Sequence, residues 1–254
     1  MKSANNRRLH DIFTPLTNIV GVALCAMLIA GCGHSRAIVS SVFGVFWVSS
    51  SEYLIEVRHL PLKDWPKLQK FTELSDLSIS ENLDPKSLDK CLQTLSQLKL
   101  PRLRALRLEC SPTDDGLLAL TNLSSIVCLD LYGKHITDSG VRKVSANLPL
   151  LRSISFNQCT SITINGFLSL TNAIMLRDVL LNVEKLNQQE VERVIREVSQ
   201  VTYWGIDRPS WGLALQPLKQ LKDEKDLTIV IHYDKYGWGI DEVIKSGYEH
   251  PTDR

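Results

Sequence analysis

An excess of charge of either sign is missing from this chain. Its 254 residues carry 29 Lys and Arg against 28 Asp and Glu, a formal net charge of +1. A protein that holds nucleic acid through bulk positive charge is thereby excluded. Long apolar runs are missing too. The longest near the start, Ile19 to Ala30, has 12 residues, against roughly 20 for a membrane-spanning helix. Mean hydropathy is −0.04, which argues against a polytopic membrane protein. Cysteine is sparse, with six in the chain, too few for a disulfide-stapled miniprotein. Catalytic signatures are absent: there is no P-loop, no dinucleotide-type glycine fingerprint, no HExxH and no GxSxG. No CxxC pair or close His pair offers a metal site, and nothing calls for a cofactor. What remains is a globular body with 44% hydrophobic and 22% charged residues.

Residues 1–32 read as an export signal. Lys2, Arg7 and Arg8 give a positive start, offset by Asp11, and the apolar run ends in Ile29-Ala30-Gly31-Cys32. This tetrad resembles the lipobox of bacterial lipoproteins. The resemblance implies lipidation of Cys32, cleavage before it, and stable anchoring at a membrane of the bacterial cell envelope. The alternative is a single N-terminal signal anchor. Residues 33–51 read as an apolar, Ser-rich tether, and its stretch Ala37 to Val48 is apolar again.

Self-similarity dominates the rest. Segments starting at Leu74, Leu103, Ile126, Leu151, Leu176 and Val201 are 29, 23, 25, 25 and 25 residues apart. Each has apolar residues at its first, fourth and sixth places, as in Leu151, Ile154 and Phe156. The alternation at places four and six predicts a short strand with those side chains inward. Thr113-Asp114-Asp115-Gly116, Thr137-Asp138-Ser139-Gly140 and Thr163-Ile164-Asn165-Gly166 follow, and a Thr or Asp there suits the cap of a helix. Leu117, Leu118 and Leu120, and Val141 and Val144, are expected on the inner side of those helices. A longer helix is expected from Asn187 to Ser199, with Val191, Val194, Ile195 and Val198 inward. Further strands are expected at Tyr53 to Val57 and Leu227 to His232.

The pattern resembles the leucine-rich repeat family, in its cysteine-containing, ribonuclease-inhibitor-like subtype. The copy Leu151 to Leu170 fits best, with Cys159 at the family's Asn or Cys place. The resemblance implies an α/β solenoid over 52–232: a short arc with a parallel sheet on its concave side, helices on the convex side, and a cap or tail at 233–254. Eukaryotic relatives of this subtype often carry an F-box, and no such box is evident here.

Places three, five and seven point away from the core, and arginines stand at several second places. Arg104, Arg107, Glu109, Asp130, Tyr132, Arg152, Asn157, Arg177, Asn182 and Tyr203 are the candidate partner-binding residues of the concave face. Arg and Tyr are typical interface anchors. That reading points to a protein partner bearing acidic groups. The plainer reading is a solvated sheet with Arg107, Glu109 and Asp130 neutralising one another laterally. The aromatic residues Trp204, Trp211, Trp238, Tyr203, Tyr233, Tyr236 and Tyr248 gather late in the chain, either closing the open end of the core or forming an aromatic site. Cys91, Cys110, Cys128 and Cys159 are expected to be free, buried cysteines serving as small apolar residues. The expected function is non-enzymatic protein binding at the envelope. The alternatives are a scaffold without one specific ligand and, third, an enzyme built on Cys128 and His135.

Overall fold

The computed structural model describes residues 37–41, 44–48, 53–57, 62–80, 83–207, 213–225, 227–232 and 240–244. Residues 1–32, expected to be an export signal with its lipidation candidate Cys32, lie outside these, as do Trp211, Trp238, Tyr233, Tyr236 and Tyr248. Within the stretch read as a tether, β1 (Ala37–Ser41) and β2 (Gly44–Val48) pair antiparallel. Among the described residues, no helix is long and apolar enough to cross a membrane.

The repeats build one sheet. β3 (Tyr53–Val57) leads through a 3₁₀ helix, Leu62–Lys70, to β4 (Leu74–Ile79). β5 (Ala105–Leu108), β6 (Cys128–Tyr132), β7 (Ser153–Asn157), β8 (Asp178–Asn182), β9 (Tyr203–Asp207) and β10 (Thr228–His232) follow. From β3 to β10 the strands lie parallel, side by side in chain order. β11 (Ile240–Ile244) pairs antiparallel with β10 and ends the parallel run. Helices fill the intervals: α1 (Pro85–Leu95), α2 (Asp114–Leu120), α3 (Asp138–Asn147), α4 (Ile164–Leu168) with a 3₁₀ turn (Ser169–Asn172), α5 (Gln188–Glu197) and α6 (Leu215–Lys225). This is an α/β solenoid arc.

The reason is burial. One strand and one helix cannot hide their apolar faces alone, so stacked copies share a core. All eighteen residues at places one, four and six of the six repeats are buried, from Leu74 to Ile206. In the middle of the arc, Phe156 and Phe167 meet edge to face, with ring centroids 5.4 Å apart. Cys91 packs inward with Leu88, Leu92 and Leu95. Trp204 is buried at the end of the repeats, in line with closure of the core. On α5, Val191, Val194 and Ile195 are buried, as is its C-cap residue Val198, and Asn187 and Glu190 form a reciprocal capping box. One expectation fails: Leu118 is 45% exposed while Leu117 and Leu120 are buried. Successive helical residues turn by about 100°, so Leu118 leaves the inner stripe.

The helix starts also lock neighbouring repeats together. Thr113, Thr137 and Thr163 each cap a helix, accepting through Oγ1 from the N–H of Asp115, Ser139 and Asn165. Each also donates backwards. Asp114 accepts from Thr137 N (2.9 Å) and Thr137 Oγ1 (2.6 Å). Asp138 accepts from Thr163 N (2.7 Å) and Thr163 Oγ1 (2.6 Å). Asp89, on the fifth residue of α1, serves Thr113 in the same way. Asp138 therefore does not cap its own helix. Thr137 does that, and Asp138 clasps the next repeat. The series stops where Ile164 replaces the aspartate and Asn187 the threonine.

Candidate functional site

Helices cover one side of the sheet, and the outward side chains of β4 to β9 form the other. Parallel register aligns them in rows. Place three runs Asp76, Ala105, Cys128, Ser153, Asp178, Tyr203. Place five runs Ser78, Arg107, Asp130, Ser155, Leu180, Gly205. At β10 the outward residues Thr228 and Val230 are buried, so the accessible face ends near β9.

The candidates fall into two groups. On the face itself, Arg107 Nε donates to Asp130 Oδ2 at 3.0 Å, the lateral pairing expected from the sequence. Burial works against the Arg107 charge, but the Asp130 hydrogen bond and the charges of Asp130 and Glu109 offset it and raise the guanidinium pKa. Glu109 accepts from Ser80 Oγ at 2.8 Å. Asn157 donates to Ser155 Oγ at 2.7 Å, and Asn182 Oδ1 accepts from Glu184 N. Tyr132 and Tyr203 are partly buried. Burial raises both phenols, helped by Glu109, Asp130 and Asp207 at Tyr132 and by Asp178 at Tyr203.

Arg104, Arg152 and Arg177 instead stand at the strand starts, along one border of the face. All three are exposed. Arg104 Nη1 donates to Ser125 O at 3.3 Å, and Arg177 Nη1 to Leu176 O at 2.7 Å and Gln200 O at 3.2 Å. Two of these guanidinium groups thus tie down loop carbonyls. The face proper is acidic: its outward places on β4 to β9 hold Asp76, Glu109, Asp130, Asp178 and Asp207 against Arg107. The arginine-centred reading missed this balance because it weighed the second places with the face. Those side chains precede the strand alternation that aims residues outward.

A shallow, open depression lies between β4, β5 and β6. Asp76, Ser78, Arg107, Cys128 and Asp130 rim it, and Ala105, which has almost no side chain, leaves the space.

An alignment 126 residues long, covering 44% of this chain, is 33% identical to part of the BTB/POZ domain-containing protein FBL11 of Arabidopsis thaliana. The match spans 13% of that protein's length. No family model matches the chain.

Cys128 opens β6, and His135 lies beyond its far end. A five-residue strand separates its ends by about 13 Å at roughly 3.3 Å per residue. Although Cys128 is exposed as a residue, the flanking strands desolvate its thiol. That desolvation, followed by the charges of Asp130, Asp178 and Asp76, raises its pKa. An activated nucleophile needs the opposite field. None of Cys91, Cys110, Cys128 and Cys159 is in a disulfide, and all but Cys128 are buried. Cys159 donates to Leu131 O of the preceding repeat, and burial pushes its thiol up to about 12. Among the described residues, no group of His, Cys, Asp and Glu could hold a metal ion.

Proposed function

We propose that this chain is a leucine-rich repeat protein of the cysteine-containing type, a non-enzymatic module whose open sheet face takes a protein partner. The carrying observation is the face itself: a parallel sheet with polar outward rows from β4 to β9, not covered by the helices that cover its other side. Repeat arrays use such extended surfaces for binding. Resemblance to a small portion of a much larger protein fits a modular unit. The anchoring expected from the sequence is part of the proposal: Cys32 carries lipid and holds the arc at the bacterial envelope.

Two experiments test this. A photo-crosslinking residue placed at Ala105 or Ser153 is expected to trap one protein in cells, and the same residue at Asp115 or Lys143 on the helix side is not. Equal trapping on both sides, or none at the face, overturns the binding reading and favours a scaffold without one ligand. Intact mass and lipid labelling, beside a Cys32→Ser variant, test the anchor. Lipid on both forms, or on neither, sinks it.

A further inference from the structure

We infer that the strand-entry edge of the arc docks onto an anionic lipid surface. This edge is distinct from the open face, so neither proposal needs the other. Residues 96–104, 121–127, 148–152, 173–177 and 198–202 are the loops that lead from a helix into β5, β6, β7, β8 and β9, and the parallel topology brings them to one edge. They hold Lys99, Arg102, Arg104, Arg152 and Arg177 and no Asp or Glu. Arg102 is paired with Glu73 of the loop before β4. Among the described residues, no carboxylate pairs with Lys99, Arg104, Arg152 or Arg177, and all four are exposed. The carbonyl bonds of Arg104 and Arg177 fix those groups at the edge without neutralising them. At the ends of α5 and α6, Glu197 and Glu224 are paired with Arg193 and Arg196. Asp178, the residue after Arg177, belongs to the open face. Carboxylates gather instead at the opposite edge, where the helices begin, as at Asp114, Asp115, Asp138 and Glu190.

Apolar side chains share the basic edge. Of the four exposed large apolar residues among the described ones, two lie in its adjacent loops: Leu150, 42% exposed, and Ile174, 73% exposed. Leu150 is two residues before Arg152, and Ile174 three before Arg177. Helix C-termini favour nearby cations, which accounts for the charge but not for exposed leucine and isoleucine. A bilayer interface accepts both, through burial of apolar side chains and attraction between cations and anionic headgroups. The chain also joins the arc here, since Tyr53, the first residue of β3, opens on the same edge. Docked in this way, the strands stand away from the membrane and leave the open face accessible.

The test uses the full-length protein with Cys32→Ser, so that no lipid anchor holds it. An environment-sensitive fluorescent amino acid replaces Leu150 on this edge or His135 on the opposite one. The vesicles are equimolar phosphatidylglycerol and phosphatidylcholine, or phosphatidylcholine alone. The label at 150 is expected to shift to the blue on the anionic vesicles only, the label at 135 on neither, and added salt to reverse the shift. Arg152→Gln is expected to raise the lipid concentration at half-shift about fivefold, as for one cation near an anionic surface. Ile174→Ser is expected to raise it about tenfold through lost apolar burial. Both side chains are exposed, and circular dichroism confirms that the variants fold. Equal shifts at the two positions, equal shifts on the two vesicle types, unchanged binding by both variants, or no shift at 150 overturns the inference. An equal shift with polyglutamate in place of vesicles also overturns it and assigns the edge to an acidic polypeptide. None of these outcomes bears on crosslinking at the open face, so the proposed function stands or falls separately.

Discussion

Replacing Asp138 by alanine removes both acceptors of the clasp between the repeat of α3 and that of α4. Hydrogen bonds to a charged group are each worth about 1.5–3 kcal/mol. Thr163 is exposed, so water recovers part of that loss and the lower end applies. Asp138 also sits at the first position of α3, where a negative charge gains about 0.3–1 kcal/mol from the helix dipole. The expected cost is about 3–4 kcal/mol. Asp138→Asn keeps one acceptor and turns a donor toward a donor, so about half that cost is expected. Asp115→Ala is the control: that aspartate is also in a first turn, but its side chain is 82% exposed and belongs to no clasp, so only the dipole contribution of about 0.3–1 kcal/mol is at stake. Urea unfolding followed by tryptophan fluorescence and circular dichroism measures all three. A cycle with Thr163→Val isolates the pair, and a coupling of about 1 kcal/mol or more is expected. If Asp138→Ala costs no more than Asp115→Ala, or if the cycle is additive, the clasp contributes nothing and the reasoning is refuted.

Gln158 sits just past β7 with φ of 55°, and Gly133, at the same place after β6, has φ of 113°. Gln158→Gly is expected to stabilise the protein by up to about 1 kcal/mol, because the left-handed region penalises a side chain; a lower urea midpoint would contradict this. Gly133→Ala should destabilise, since its Cβ would lie 2.0 Å from Ser111 Oγ in addition to the strained φ; an unchanged thermal midpoint would refute the close approach. Cys159 has a folded-state pKa raised from 9.0 to about 12. Its neutral thiol is favoured by folding, so its contribution is complete below about pH 9 and is lost as the unfolded thiol ionises above it. Unfolding midpoints from pH 7 to 10.5 should fall more steeply in the wild type than in Cys159→Ala; parallel curves would remove the thiol as the cause.

The sequence by itself determined the repeat, its inward residues and the strands at both flanks. Spacing near 25 residues with apolar places one, four and six leaves little freedom, because each copy must present the same apolar surface to its neighbours. Val191, Val194, Ile195 and Val198 were equally legible from helical period. The tertiary structure decided what depends on relations between repeats. Thr137 and Thr163 announce caps locally, but only stacking shows that Asp114 and Asp138 serve the following repeat. Leu118 shows the complement: an apolar residue in a short helix does not reveal which side it takes until the helix is docked. The charge of the open face was decided in the same way. Arg104, Arg152 and Arg177 are close in sequence to the outward places, yet the strand begins after them. They form a border, and the field at the centre belongs to Asp76, Asp130 and Asp178. Register across six strands sets that field, and no single repeat contains it.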